Sequence, residues 1–259
     1  MIKFCSLYSS SSGNCTYIGN EENGILIDAG VSAKRIETAL RGIGVEPSSI
    51  KAIFVTHEHS DHIGGVRVFA GRHKVPVYAN EGTLTGMDTY GAFDEKVSAF
   101  VLTPDGYEID GFYVKSFPIP HDTNDPCGYT INCDGKKIAV VTDLGIVTDR
   151  IEEEIIGSDL VLLESNHDVD MLMMGPYPHN LKVRIRSDYG HLCNEASAVF
   201  SKKLYENGTR KFVLGHLSKE NNMPSLAYQT HYNSLIEAGA KDGEFLLTVA
   251  GDLNKPIIL

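Results

Sequence analysis

The chain of 259 residues is long enough for one large α/β domain, whose core needs neither disulfides nor a structural metal. Its 42% hydrophobic and 22% charged residues exclude the disordered, collagen-like and coiled-coil classes. With 23 basic and 34 acidic residues, the net charge of −11 argues against a protein that coats nucleic acid by bulk charge. A local basic patch or a metal-centred phosphate site remains compatible with that charge.

Strand-like apolar runs and helical periodicities occur in both halves of the chain. The predicted strands are Lys3–Tyr8, Thr16–Ile18, Ile25–Asp28, Ala52–Thr56, Val75–Ala79, Phe112–Phe117, Gly128–Ile131, Lys137–Thr142, Leu160–Glu164, Phe212–Leu214 and Phe245–Val249. Helices are predicted at Ala33–Arg41, Asp61–Gly71, Asp149–Ile156, Glu195–Glu206 and Pro224–Ala238. Two β-rich layers covered by outer helices bury this pattern well, so we expect an α/β protein with a four-layer αββα sandwich in a single domain over residues 1–259.

Targeting and redox features of the sequence favour a cytoplasmic protein. No apolar run approaches the roughly 18 residues of a membrane span, and MIKFCSLYSSSSGN reads as a first strand and a turn rather than a signal peptide. The five cysteines are odd in number and form no C-x-x-C pair, as expected for reduced thiols. We therefore expect no membrane partner, and a homo-oligomer is left open.

Several short apolar strands end in a residue that can bind metal. Asp28 ends ILID, His57 and His59 follow IFVT, Asp143 ends VVTD, and His216 ends FVLGH. Functional sites are commonly built where a rigid strand gives way to a loop. Because four such ends come from one chain, they can converge on one edge of a sheet.

The densest chemical signal is the segment THEHSDH. His57 and His59 are two residues apart, so an extended backbone directs both side chains to the same side. Asp61 and His62 follow at a predicted helix start, where the turning chain can present a second pair of ligands. Imidazole and carboxylate ligands suit zinc, manganese or iron, and the residues alone leave that choice open. Three histidines in six positions are too dense for a chance surface loop in a chain with 10 histidines.

The H-x-H-x-D-H segment after a strand resembles the signature of the metallo-β-lactamase superfamily. The resemblance spans nearly the whole chain, because Asp28 in LIDAG, His121 in PIPHDT, Asp143 in VVTDLG and His216 in VLGHLS match its other motifs. The segments SSSGNCTYI, LESNHDVDML, SDYGHLCNEA and GHLSKENN are similar to the YycJ/WalJ (VicX) branch, whose members are regarded as 5′→3′ DNA exonucleases.

This resemblance implies a metallo-β-lactamase fold with two divalent ions, zinc or manganese. The implied ligands are His57, His59 and His121 for one ion, Asp61, His62 and His216 for the other, and Asp143 bridging both. Asp28 would orient the histidine-rich loop. Asp61 and His191 are the implied catalytic residues, with His191 as a non-ligand that contacts the scissile phosphate or protonates the leaving group.

Basic side chains precede His191 in HNLKVRIRSDYGH. Lys182, Arg184 and Arg186 could hold phosphates that flank the cleaved bond of DNA. Without the family resemblance, the same residues would read as a solvated charged face. They are therefore predicted substrate contacts whose alternative is purely structural.

Other polar residues have two interpretations each. Ser12 and Asn14 could contact phosphate, or belong to a plain turn. His167 either lies at the mouth of the site or caps the following helix with its neighbours. His73 and His231 have no partners nearby in the sequence, so we expect them at the surface.

Three functions fit these observations. The first is a metal-dependent hydrolase that cuts phosphodiesters, as a 5′→3′ DNA exonuclease with a metal-bridging hydroxide as nucleophile. The second is a small-molecule hydrolase of the same fold, acting on a cyclic phosphodiester, a lactone or a thioester, which the net charge favours. The third is a non-enzymatic, metal-bound regulator, which has no need of seven well-placed ligands.

Overall fold

Two seven-stranded sheets form the centre of the protein, for which a computed structural model describes residues 1–20, 22–251 and 255–259. The first sheet contains β1 (Lys3–Tyr8), β2 (Cys15–Gly19), β3 (Gly24–Ile27), β4 (Ile50–Phe54), β5 (Val77–Ala79) and β6 (Ala99–Val101). The second contains β7 (Tyr107–Ile109), β8 (Phe112–Pro118), β9 (Cys127–Cys133), β10 (Lys136–Val141), β11 (Leu160–Glu164), β12 (Lys211–Gly215) and β13 (Leu246–Val249). The last strand, β14 (Ile257–Ile258), returns to the first sheet and pairs with β1.

Helices cover the outer face of each sheet. In chain order they are α1 (Ala33–Gly42), α2 (Ser60–Ile63), α3 (Val66–His73), α4 (Glu81–Thr89), α5 (Asp149–Ile155), α6 (Val169–Met174), α7 (His179–Ile185), α8 (Asn194–Glu206) and α9 (Pro224–Glu237). One apolar cluster lies between the sheets, a second joins the first sheet to α1 and α3, and a third joins the second sheet to α5, α8 and α9. The predicted αββα sandwich is therefore confirmed.

The strands that precede the metal-capable residues are buried on both faces. In β3, Ile25 and Ile27 belong to the cluster between the sheets, whereas Leu26 belongs to the outer cluster. Alternate side chains of a strand point to opposite faces, so such a strand must be apolar throughout. Full burial of each of these side chains stabilises the fold by about 1.5–3 kcal/mol. The strands are consequently rigid supports for whatever follows them.

Strand direction brings the candidate residues to common edges. Strands β3 to β6 are parallel to one another, and so are β10 to β13. Strand β8 runs in the same direction as β10, because both are antiparallel to β9. The carboxyl ends of β8, β10, β11 and β12 thus lie at one edge of the second sheet, and those of β3 and β4 at one edge of the first.

The predicted helix Asp61–Gly71 is wrong as a single element. The chain instead forms α2 and α3, separated by Gly64 and Gly65. The amide of Gly65 donates to the carbonyl of Ala29 (2.7 Å), and a Cβ at Gly65 would lie 2.0 Å from the carbonyl oxygen of Val31. The loop after β3 therefore takes the place of the next helical turn, and only glycine permits this approach.

Short or weakly buried elements escaped prediction. Strands β6 and β7 have three residues each, and all three residues of β6 are exposed. Helix α7 has no buried residue. Neither type of segment carries the apolar alternation or periodicity on which a prediction from sequence depends. Among the described residues, none of the helices is both long and apolar enough to span a bilayer.

The expectation that His73 and His231 are partnerless surface residues is wrong. His231 on α9 is fully buried, with its Nδ1 2.9 Å from the carbonyl oxygen of Ala227 and its Nε2 2.9 Å from Ser197 Oγ. His73 lies 3.0 Å from the carboxylate of Glu37. Ser197 and Glu37 are brought near by tertiary packing, and Ala227 lies one helical turn before His231. Residue spacing alone does not reveal these contacts.

Burial makes His231 a source of acid sensitivity. Desolvation lowers the pKa of His231 from 6.5 to about 4. Between these values the unfolded chain binds a proton that the folded chain does not, so acidification favours unfolding. We expect wild type to lose about 2 kcal/mol of unfolding free energy relative to His231→Gln between about pH 7.5 and about pH 5. Urea unfolding of both proteins at both pH values measures this difference, and parallel pH slopes would contradict it.

Candidate metal centre

Three histidines from two loops form the first group of potential ligands. His57 and His59 follow β4, and His121 follows β8. Their potential ligand atoms lie within 4.8 Å of one another. His57 Nε2 is 3.1 Å from His59 Nδ1, and the ring centroid of His121 is 5.0 Å from that of His57. The structure thus brings together the three residues that the family resemblance implied as ligands of one ion.

A second group lies directly beside the first. Asp61 and His62 begin α2, and His216 follows β12. Asp61 Oδ2 is 3.5 Å from His62 Nε2 and 3.7 Å from His216 Nε2. Asp143, which follows β10, lies between the groups, with Oδ2 3.3 Å from His62 Nε2 and Oδ1 4.0 Å from His121 Nε2. All seven predicted ligands are therefore contiguous.

Asp28 holds the second group from behind. Its Oδ2 accepts a hydrogen bond from His62 Nδ1 (2.8 Å), which leaves His62 Nε2 facing Asp61 and Asp143. The other oxygen of Asp28 accepts from the amide of Thr56 (2.8 Å), just before His57. A carboxylate behind an imidazole fixes the tautomer and ring orientation that a ligand needs. These contacts fit the prediction, drawn from the family resemblance, that Asp28 orients the histidine-rich loop.

Backbone strain is concentrated at this centre. Asp28, Asp143 and His216 have φ angles of 61°, 60° and 54°, and each follows the end of a parallel strand. The described residues include only three other non-glycine positions with positive φ. Such conformations cost about 1–3 kcal/mol each and persist where the surrounding structure enforces them. Here they turn the chain so that each side chain enters the shared cluster.

Burial and charge divide the histidines into two kinds. Desolvation lowers the pKa values of His57, His59 and His121, so these imidazoles are neutral, as metal ligands must be. Burial also acts against protonation of His62 and His216, but neighbouring carboxylates led by Asp28 and Asp143 raise both pKa values. The carboxylates of the cluster therefore favour a positive charge near His62 and His216.

The unpaired atoms of the cluster test whether a metal fits. His121 Nε2, Asp143 Oδ2 and His216 Nε2 are buried and have no hydrogen-bond partner among the described residues. Leaving such atoms unsatisfied in a protein interior is costly. Each belongs to a group of nitrogen donors, or of nitrogen and oxygen donors, that can share an ion, and divalent zinc or manganese accepts both donor types. The residues present fit metal binding.

A family comparison agrees with this geometry. The family model described as Metallo-beta-lactamase superfamily matches residues 10–202, a range that holds six of the seven residues and excludes His216. The chain belongs to the metallo-β-lactamase superfamily.

Relatives within the superfamily narrow the branch. Exodeoxyribonuclease YycJ of Bacillus anthracis is 38% identical over 244 residues, which cover 94% of this chain and 92% of that protein. Exodeoxyribonuclease WalJ of Streptococcus pneumoniae (strain D39) is 39% identical over 239 residues, covering 91% and 89%. These relationships confirm the resemblance to the YycJ/WalJ branch and support a metal-dependent hydrolase.

A solved structure of similar fold covers the whole chain. The crystal structure of Zn(2+)-bound PqqB from Methylobacterium extorquens has a TM-score of 0.74 and covers 100% of this chain and 99% of that one. At 17% identity, this similarity establishes the fold alone.

Glu164 is a site residue that the sequence reasoning missed. This fully buried carboxylate ends β11. Its Oε1 accepts from the Nδ1 atoms of His191 and His216, both at 2.8 Å, and its Oε2 accepts from the amides of Leu144 (3.0 Å) and Leu192 (3.1 Å). The strand VLLE ends in a carboxylate, as other strands end in ligands, so the strand-end pattern could have found it.

His191 lies beside the seven residues. Its ring centroid is 5.3 Å from those of His121 and His216, and its Nδ1 is engaged by Glu164. Its side chain is 20% exposed, whereas that of His216 is 3% exposed. His191 therefore borders the centre from the solvent side.

The two predicted contacts of the N-terminal turn have different positions. Asn14 is buried, and its Nδ2 lies 3.2 Å from Asp61 Oδ2 and 3.0 Å from His62 Nε2, so it holds the second group of ligands. Ser12 is exposed and accepts a hydrogen bond from Lys219 Nζ (2.9 Å). The turn thus supports the ligands through Asn14 and exposes Ser12 to solvent.

His167 does not join the metal-binding groups. It is buried, and desolvation lowers its pKa to about 4. The cap of α6 is Asp168, whose Oδ1 accepts from the amide of Met171 (2.8 Å). Of the two interpretations, a place at the mouth of the site or capping of the next helix, capping is found, and the capping residue is Asp168.

The three basic residues of α7 and its end are used differently. Lys182 donates to the carbonyls of Met173 and Gly175. Arg184 pairs with Asp122, whose neighbour is His121. Arg186 contacts only the sulfur of Met173 (3.4 Å) among the described residues. Its guanidinium therefore carries an uncompensated charge.

Proposed function

We propose that this protein is a dinuclear metal-dependent phosphodiesterase that degrades DNA as a 5′→3′ exonuclease. The supporting observation is the pair of adjoining ligand groups with Asp143 between them. Paired sites of this kind clamp the attacking and leaving oxygens of an in-line displacement. The identity of 38–39% to two exodeoxyribonucleases over more than 90% of the chain supports DNA as the substrate.

In this assignment, His57, His59 and His121 would hold one ion, Asp61, His62 and His216 would hold the other, and Asp143 would serve both. Two divalent ions, zinc or manganese, would supply a nucleophile from water near neutral pH and positive charge for the phosphate.

Asp61 has a second proposed task, which is to orient the attacking water. Burial alone would raise the pKa of its carboxyl, but His62 and His216 hold that pKa below its usual value. The carboxylate therefore stays ionised, with Asn14 Nδ2 fixing one oxygen at 3.2 Å. An ionised, oriented carboxylate at the centre can bind a cation and can accept a hydrogen bond that orients the attacking water.

His191 is the proposed acid for the leaving oxygen. Its Nδ1–H donates to Glu164, so its Nε2 is left to carry a proton toward the substrate. Asp143, Glu164, His191 and His216 also have potential ligand atoms within 4.8 Å of one another, and the 20% exposure of the His191 side chain supports contact with the scissile phosphate instead. Glu164 fixes the tautomer and the ring orientation of His191, as a carboxylate hydrogen-bonded to an imidazole does.

His191→Ala should therefore retain metal and lose rate. We expect metal content per chain to equal that of wild type and kcat to fall by about 10²- to 10⁴-fold, the range for a general acid. Elemental analysis and single-turnover digestion of single-stranded DNA measure the two quantities. Loss of metal on this substitution would mean that His191 is a ligand.

End-labelled DNA tests the function itself. Purified protein is incubated with 5′-labelled and 3′-labelled DNA and with zinc, manganese or magnesium, beside a metal-stripped sample. We expect labelled mononucleotide at once from the 5′-labelled strand, progressive shortening of the 3′-labelled strand, and no product without metal.

The salt dependence of binding distinguishes DNA from a small substrate. A protein that contacts several phosphates loses affinity steeply as salt rises, with a log–log slope of about −0.7 per phosphate for single strands. A flat slope, together with turnover of a cyclic phosphodiester, a lactone or a thioester but not DNA, would replace the exonuclease by a small-molecule hydrolase.

A further inference from the structure

Next to the metal centre lies a stretch of chain that is not packed into the core. Residues 173–189, here called the rim segment, include α7 and contain no buried residue. Met174, Val183 and Tyr189 are 87%, 55% and 61% exposed. Most helices in proteins are stabilised by burying an apolar face. A helix that buries no residue, such as α7, is therefore available to bind a ligand.

The rim segment is nevertheless anchored to the centre. The carbonyl of Ile185 accepts from the amide of His191 (2.9 Å), and Arg184 pairs with Asp122 beside His121. Gly145, two residues after Asp143, lies so close to the rim segment that a Cβ there would be 2.3 Å from the carbonyl of Asp188. A ligand on this segment would therefore be continuous with the centre.

Tyr189 is displayed by a tight turn. The amide of Gly190 donates to the carbonyl of Ser187 (2.9 Å), which makes Asp188 and Tyr189 the central residues of a four-residue turn. The carbonyl of Gly190, the residue after Tyr189, is 3.3 Å from His121 Nδ1. The ring is thus held at the surface, two residues before His191, and its hydroxyl has no hydrogen-bond partner among the described residues.

The charge of the rim segment opposes that of the whole chain. It carries three basic side chains and one acidic side chain, in a protein whose net charge is −11. Arg184 is neutralised by Asp122, whereas the guanidinium of Arg186 has no carboxylate partner among the described residues. An exposed aromatic ring three residues along the chain from an uncompensated cation matches a nucleobase and its phosphate.

We propose that Tyr189 stacks on a nucleobase of single-stranded DNA at the mouth of the centre, while Arg186 contacts an adjoining phosphate. This inference rests on the proposed nuclease function and adds the recognition of the strand. An internal base of a duplex has both faces stacked, and a terminal base of a duplex is held by pairing, whereas an unpaired base at a single-stranded end can be splayed onto an aromatic ring. Tyr189 therefore selects single-stranded ends.

Binding of a fluorescent base tests the stacking directly. Single-stranded oligonucleotides with non-cleavable phosphorothioate linkages carry 2-aminopurine at successive positions from the 5′ end, and stacking quenches its fluorescence. We compare metal-loaded wild type with Tyr189→Ala, Tyr189→Phe and the control Tyr90→Ala, since Tyr90 is 66% exposed at the end of α4. We expect quenching at one position for all but Tyr189→Ala, whose affinity falls about tenfold.

Kinetics with an abasic nucleotide tests whether the base and the ring of Tyr189 act together, as in a double-mutant cycle. Removing the base at the quenched position should raise the KM of wild type by the factor that Tyr189→Ala produces, about tenfold, and should have no added effect in Tyr189→Ala. Tyr189→Phe should match wild type because it retains the ring.

Three results would overturn the inference. One is a Tyr189→Ala variant whose KM and fluorescence quenching equal those of wild type, provided that wild type degrades DNA. Another is an equal preference of wild type for duplex and single-stranded ends. A third is a change of oligomeric state in Tyr189→Ala by sedimentation, since the ring would then serve a contact between copies. If wild type itself degrades no DNA, the proposed function fails as well, and the two failures are distinguishable.

Discussion

Asp143→Ala should lose metal and lower nuclease activity by on the order of 10³-fold or more, because this carboxylate lies between the two proposed ligand groups. Without it, His62 and His121 lose the carboxylate that faces them. Asp143→Asn, which keeps the shape and removes the charge, should behave similarly. Elemental analysis and digestion of labelled DNA measure both effects.

The control for this substitution is Asp88→Ala, on the exposed face of α4. It removes one carboxylate from the same chain without touching the centre, so metal content and activity should match wild type. Circular dichroism confirms that each variant folds. Full metal content in folded Asp143→Ala would contradict a shared ligand and, with it, the dinuclear assignment.

Glu164→Gln should slow the chemical step by about 10²- to 10⁴-fold and weaken metal binding by about 10- to 100-fold. The four donors around Glu164 are the reason. One oxygen accepts from both His191 and His216, and the other accepts from two backbone amides. A glutamine amide has only one oxygen, so its NH₂ group must face two donors on one side or the other. No rotation of the side chain satisfies all four.

The pattern of losses separates Glu164 from His191. His191→Ala lowers the rate and keeps the metal, whereas Glu164→Gln lowers both, because it also frees His216. Glu154→Gln is the matched control, since Glu154 pairs with Lys115 at the surface of the second sheet. If Glu164→Gln binds metal as tightly as wild type, the hydrogen bond from His216 does not position a ligand.

A common feature of the site is a carboxylate hydrogen-bonded to the Nδ1 atom of a histidine that faces the cluster. Carboxylates lie behind the ligands on both sides of the centre, with Asp28 behind His62 and Glu164 behind His216. Each accepts from Nδ1, which turns Nε2 toward the cluster. The same pairing extends through Glu164 to His191, so the ligand group and the proposed acid share one support.

The sequence by itself determined the ligand types and most of the scaffold. His57, His59, Asp61 and His62 are close in the chain, so their convergence is a local consequence of a strand end and a turn. Asp143 and His216 were recognisable because buried strands are continuously apolar and a polar residue at their end stands out. Parallel strands then place such ends at one edge, which is a rule of topology rather than of detailed packing.

Only the tertiary structure decided which groups pair and which are buried. Glu164 meets His191 and His216 across 27 and 52 residues of chain, and His231 meets Ser197 across 34. The split between α2 and α3 likewise depends on the carbonyls of the loop after β3. Hydrogen bonding and desolvation act between neighbours in space, and spacing in sequence carries no record of neighbours so far apart along the chain.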